Sequence, residues 1–174
     1  EKNTVKLWRT IDKFVLEAMW YKIGDRDKNK LIYLCGPMEY AADYGVQWRK
    51  EFSEVFAKKN YRSISPNEEE EFIKQKYKVD AETKKNNIDE YISGIREFIT
   101  LDLTFVESAD MLVCKWEGEQ CSGTIHEVGY ARQIGKPSYL VTSKPLYEVP
   151  GWFLSCFTKC FKTVDELINY LEDK

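Results

Sequence analysis

Histidine is nearly absent from this chain, with one residue in 174. Without a second imidazole there is no recognisable zinc spacing, and Cys156 and Cys160, four apart, have no second ligand pair. No zinc site is therefore expected. Long apolar runs are also missing: none approaches the ~20 residues that cross a bilayer as a helix. Charge of one sign does not dominate either. The chain carries 26 Lys and Arg against 29 Asp and Glu, a net charge of −3. They are interspersed, with no basic stripe, which argues against duplex nucleic acid as a partner. The first residues lack the basic-then-apolar order of a secretory signal. Five cysteines are an odd number, and Cys35 and Cys114 fall in apolar runs where Cys behaves as a small apolar residue. A reducing, cytoplasmic compartment is expected. No internal repeat is visible.

What is present is enough for a core: 43% apolar and 14% aromatic residues, in a length that fits one domain. Leu7, Trp8, Ile11, Phe14, Val15, Ala18 and Met19 predict an amphipathic helix over 4–22, and with the connector up to residue 30 it precedes the core. Leu31-Ile32-Tyr33-Leu34-Cys35 reads as a strand covered on both faces, ended by Gly36-Pro37. A helix over 42–58 and a strand over 61–65 follow. Residues 67–86 are highly charged and ambiguous; a lid and a surface helical excursion both fit. A long helix over 87–108, a strand from Met111, a helix opened by Cys121-Ser122-Gly123-Thr124 and a strand over 136–141 complete the core, 31–142. Residues 143–174 form an aromatic, Cys-containing stretch and a short helix capped by Thr163 with Glu166. The alternation predicts an α/β fold: a doubly wound, flavodoxin-like parallel sheet of four to five strands with helices on both faces.

Two carboxylates stand out. Glu127 is expected in the first turn of the helix that follows a strand, where ligands bind in such folds and the helix dipole favours an ionised group. Such acids are commonly only dipole partners. In the helix 87–108, Ile92, Ile95, Phe98, Ile99, Phe105 and Val106 mark a buried face, and the spacing puts Asp102 within it. A carboxyl there is costly unless paired or functional, and desolvation favours the protonated form that a general acid needs. Capping of a neighbouring element, or a helix break near Thr100, would account for Asp102 equally well. Carboxyl groups in opposed environments can divide nucleophilic and acidic roles, as in cleavage of glycosidic bonds with retention.

The sequence resembles the nucleoside 2-deoxyribosyltransferase-like proteins, a superfamily that includes 2′-deoxynucleoside 5′-phosphate N-hydrolases. The likeness is carried by Leu31-Ile32-Tyr33-Leu34-Cys35-Gly36-Pro37, then Asp102-Leu103 with Ser108-Ala109-Asp110, then Ser122-Gly123-Thr124 with Glu127-Val128-Gly129-Tyr130-Ala131 and Gly135-Lys136-Pro137. It implies an enzyme acting on the N-glycosidic bond of a small-molecule nucleoside or nucleotide, by hydrolysis or by transfer to a second base, with no metal or organic cofactor. On this resemblance Glu127 is the nucleophile, Asp102 the acid that protonates the leaving base, and Tyr33 the phenol that holds the nucleophile. Gly36, followed by Pro37, lets the backbone approach the sugar or its phosphate. Ser122, Gly123 and Thr124 line the 5′ side. Glu39 and the scarcity of basic residues over 36–44 speak against a strong phosphate cradle, and Arg49 is the candidate for the missing charge. One departure is Cys121, where family transferases often carry an acid that binds the sugar hydroxyl. The resemblance also implies a homodimer or higher homo-oligomer, with the region around Trp152 near a neighbour's site; Trp152 stacks on a base or makes a dimer contact. The competing function is a non-catalytic protein that sequesters a nucleotide-derived ligand on the same scaffold.

Overall fold

The computed structural model describes residues 29–39, 41, 43–67 and 77–173. The helix expected over 4–22 and residues 68–76 of the ambiguous segment lie outside them. Five parallel strands form one sheet: β1 (Leu31–Cys35), β2 (Arg62–Ile64), β3 (Met111–Lys115), β4 (Ser138–Val141) and β5 (Lys159–Phe161). Their order is β2-β1-β3-β4-β5. The register sets Tyr33 beside Leu112 and Cys35 beside Cys114. This is the doubly wound, flavodoxin-like arrangement that the alternation of elements predicts.

Side chains alternate across the pleat, which divides the core into two layers. Leu31, Tyr33, Cys35, Leu112, Cys114 and Leu140 pack on one side. There they meet α3 (Ile88–Ser108) through Leu101, Phe105 and Val106, and α4 (Ser122–Gln133) through Val128 and Ala131. Ile32, Leu34, Met111, Val113, Tyr139 and Val141 face the other side. That layer is closed by Phe52 and Phe56 of α1 (Val46–Ala57) and by Leu167 and Ile168 of α6 (Val164–Glu172). The remaining helices are short: α2 (Ala81–Asn86), capped by Asp80, whose side chain accepts from the Thr83 amide, and α5 (Gly151–Leu154).

Several elements differ from the sequence reading for local reasons. The chain reaches α1 only at Val46, because Tyr44 (φ 53°) and Gly45 (φ 70°) turn in the left-handed region first. A Cβ on Gly45 would lie 2.8 Å from the Pro37 carbonyl, so glycine answers both the backbone angle and the space. β5 is three residues long, too short to show a period. It forms because Tyr139, Leu140 and Val141 offer their edge to Lys159, Cys160 and Phe161. Asp110 ties the starts of β1 and β3 together: its Oδ2 accepts from the Leu31 amide at 2.7 Å. At the end of the chain, Thr163 caps α6 by accepting from the Glu166 amide.

The buried face predicted for α3 is kept in part: Phe105 and Val106 lie in the core and Phe98 packs against it. On α3, Ile92 and Ile99 are exposed, and the buried positions are Gly94, Leu101, Thr104, Phe105 and Val106. On α4, Ile125 is exposed, as is Ile134 just past the helix end, and Thr124, Glu127, Val128 and Ala131 are buried. The two helices are bound to each other near their sheet-proximal ends. The Tyr130 hydroxyl donates to the Glu107 carboxylate, and the Lys136 ammonium donates to the Glu107 and Ala109 carbonyls.

Candidate active site

In an open parallel sheet, ligands bind beyond the carboxyl ends of the strands, where successive crossovers leave in opposite directions. Here that point lies between β1 and β3, the strands followed by α1 on one face and α4 on the other. A cleft of ≈ 170 Å³ opens there. The loop after β1 contributes Gly36, Pro37, Met38 and Glu39, and α1 contributes Arg49. Pro66 follows β2, Asp102 comes from α3, and residues 120–124 with Glu127 come from the start of α4. Depressions of ≈ 390 and ≈ 500 Å³ elsewhere hold neither Asp102 nor Glu127. The chemically equipped cleft is below the ~300–1,000 Å³ of drug-sized ligand sites, a size suited to one ring of a larger molecule.

Glu127 is 9% exposed, and its Oε1 accepts a 2.6 Å hydrogen bond from the fully buried Tyr33 hydroxyl. Tyr33 points there because it shares the α3/α4 side of β1 with Leu31 and Cys35. Burial, reinforced by the Asp102 and Glu127 carboxylates, raises the phenol well above its ordinary pKa, so it stays a donor. The expectation that Glu127 sits in the first helical turn is corrected. α4 starts at Ser122 and has no acidic residue in its first turn. The dipole's influence fades within that turn, and Glu127 instead has the Tyr33 hydroxyl as a donor. Asp102 is half-buried, with Oδ1 closed off from solvent. It lies at the edge of the α3 core face, next to Leu101 and one turn from Phe105, and opens into the cleft. The helix is unbroken through Thr100.

Arg49 is 2% exposed, and its guanidinium is committed to backbone carbonyls. Nε donates to Leu34 at 3.2 Å, Nη2 to Gly36 at 2.8 Å, and Nη1 to Gly45 at 3.1 Å and Tyr44 at 3.4 Å. Burial lowers its pKa, while Tyr33 and Glu127 act to raise it. A Cβ on Gly36 would come within 2.7 Å of the Trp48 ring and 2.8 Å of the Lys115 carbonyl. The glycine thus lets α1 and β3 close on the loop after β1. Ser122, Gly123 and Thr124 are the first three residues of α4; the first intrahelical bond runs from the Ile125 amide to the Cys121 carbonyl. Cys121 is buried, lines the cleft and has its thiol pushed up to about 11, chiefly by desolvation. His126 is exposed. Trp152, 91% exposed on α5, does not line the cleft. Sequence reasoning did not select Met38, Pro66 and Gln120. Their common signal is adjacency to the ends of β1, β2 and β3, which becomes informative only once the strand order is known. Among the described residues, no group of three His, Cys, Asp or Glu side chains is placed to hold a metal ion.

The fold and cleft define a class: an α/β protein with a phenol-anchored carboxylate and a second carboxyl group at its sheet switch point. The nucleoside 2-deoxyribosyltransferase family model matches residues 32–154. The chain belongs to that family, whose members act on nucleosides by glycosyl transfer or cleavage. The comparison with curated proteins returns no match. Among solved structures, the 2-deoxyribosyltransferase of Bacillus psychrosaccharolyticus is 17% identical, with a TM-score of 0.56 over 80% of this chain and 91% of that one. At that identity the likeness is one of fold. The CMP N-glycosidase BcmB of Clostridium botulinum is 15% identical, with a TM-score of 0.45 over 83% of this chain and 100% of that one.

Proposed function

We propose that this protein cleaves the N-glycosidic bond of a nucleoside or nucleotide through a covalent glycosyl-enzyme on Glu127, with Asp102 as general acid and base. The observation that carries the reading is the 2.6 Å Tyr33–Glu127 hydrogen bond beneath a cleft that Asp102 also lines. With Oε1 held by the phenol, Oε2 attacks the anomeric carbon. The carbon–nitrogen bond breaks as Asp102 gives its proton to the departing base. An acceptor then attacks the same carbon from the opposite side, its proton passes to Asp102, and the bond to Glu127 breaks, so configuration is retained. Water as acceptor gives hydrolysis; a second base gives transfer.

The α4 amides at residues 122–124 suit the 5′ oxygen. Free Cys35, Cys114, Cys121, Cys156 and Cys160 support a reducing, cytoplasmic setting. The exposed Leu146, Tyr147 and Trp152 support self-association, which light scattering would reveal as a mass above the monomer's.

Incubation with a panel of nucleosides and nucleotides, followed by chromatography, should release free base, or exchange it when a second base is added. Glu127→Gln should retain binding and lose about 10³-fold or more in turnover, as loss of a nucleophile does. Near-normal turnover in that variant would end the nucleophile assignment. Asp102→Asn should slow poor leaving bases most; equal slowing of all bases would count against the acid role.

A further inference from the structure

Resting on that reading and deepening it to a substrate class, we propose that the cleft selects an unphosphorylated nucleoside and that Glu39 sets this selectivity by opposing a 5′-phosphate. Among the described residues the cleft is lined by three carboxyl side chains, Glu39, Asp102 and Glu127, and one cationic side chain, Arg49. The Arg49 guanidinium is buried and directs its donors to the carbonyls of Leu34, Gly36, Tyr44 and Gly45. Taking up a phosphate would strip these carbonyls of their donor, and buried carbonyls without one are costly. A second cation, Lys84 of α2, stands at the rim. Its Nζ is 3.7 Å from Glu39 Oε1 and 5.2 Å from the centre of the Tyr91 ring. Glu39 therefore acts twice against a phosphate: its own charge repels the anion, and it pairs with Lys84, offsetting the charge of that cation. The α4 amides at residues 122–124 can donate to a neutral 5′-hydroxyl as readily as to an anion, so a nucleoside loses nothing at that end. A phosphate would gain the same amides and meet the carboxylates.

The test compares kcat/KM for nucleosides and their 5′-monophosphates. The nucleoside should lead by about tenfold or more, a modest effect for like charges brought together. The monophosphate rate should rise with ionic strength while the nucleoside rate stays flat, because added salt screens the exposed Glu39. Glu39→Gln should narrow the ratio and Glu39→Lys should reverse it, both through KM. Millimolar inorganic phosphate should not inhibit nucleoside cleavage. A monophosphate used as well as its nucleoside, or a ratio untouched in both Glu39 variants, would overturn the proposal. If neither compound is cleaved, calorimetry on the unaltered chain separates the two ideas. Tighter binding of nucleosides than of monophosphates would sink the proposed chemistry and keep the selectivity. Tighter binding of monophosphates, or binding of neither, would sink the selectivity.

Discussion

Tyr33 and Glu127 stand 94 positions apart in the chain and meet at 2.6 Å. At this scale the identity of each residue was readable, but the reason given for Glu127 was wrong. Apolar spacing picks out Ile125, Val128, Ala131 and Ile134; Val128 and Ala131 are buried, but Ile125 and Ile134 are exposed while Thr124 and Glu127 take buried positions. A purely hydrophobic reading therefore misplaces Ile125 and Ile134, because polar groups can take buried positions that packing alone would fill with apolar ones. The same error displaced Ile92 and Ile99 on α3. Because a hydrogen bond to a charged group is worth about 1.5–3 kcal/mol, Tyr33→Phe should lower kcat by about ten- to hundredfold with KM little changed. Steady-state kinetics decide this, and a purely KM effect would mean that the phenol serves binding instead.

Among the elements, those covered on both faces were the easiest to read. β1 and the first four residues of β3 are apolar because a helical layer lies on each side of the sheet. β5 and α5 have no prediction of their own, since segments of three and four residues show too little periodicity, while α2 falls in the charged segment 67–86, where a helical excursion is one of two readings. The loop after β1 owes its shape to a residue that sequence reading assigned to substrate. Arg49 gathers carbonyls from residues 34, 36, 44 and 45 and so fixes both ends of the chain between β1 and α1. Arg49→Met preserves the aliphatic stem and removes the donors. It should cost about 2–4 kcal/mol, as unsatisfied buried carbonyls do, measured by urea denaturation. An unchanged midpoint would show that water replaces the guanidinium easily.

For the whole molecule, the buried phenols and thiols set a limit on the alkaline side. Burial raises the Tyr33 and Cys35 pKa values, Cys121 stands at about 11, and the bond to Glu107 lifts Tyr130 to about 12. Each folded-state value lies above that of the unfolded chain, so the folded protein holds protons that the unfolded one releases. The stabilisation is complete below pH ~9 and is lost as pH rises through the folded values. Tm followed by circular dichroism should therefore fall between pH 9 and 11, and Tyr33→Phe should reduce the slope. A flat Tm across that range would show that these groups ionise freely in the native state.

The order and type of the main elements followed from the sequence, because apolar runs, glycine and proline breaks and capping residues act over a few positions. Membership of the family followed too, since its motifs are short and local; Tyr33, Asp102 and Glu127 lie in those motifs and stand as candidates. Only the tertiary structure decided which face of α4 points inward, that Arg49 is spent on carbonyls, and that Glu39 joins the cleft while Trp152 does not. Those outcomes depend on where separate elements meet at the end of β1, and no local pattern of residues encodes that meeting point.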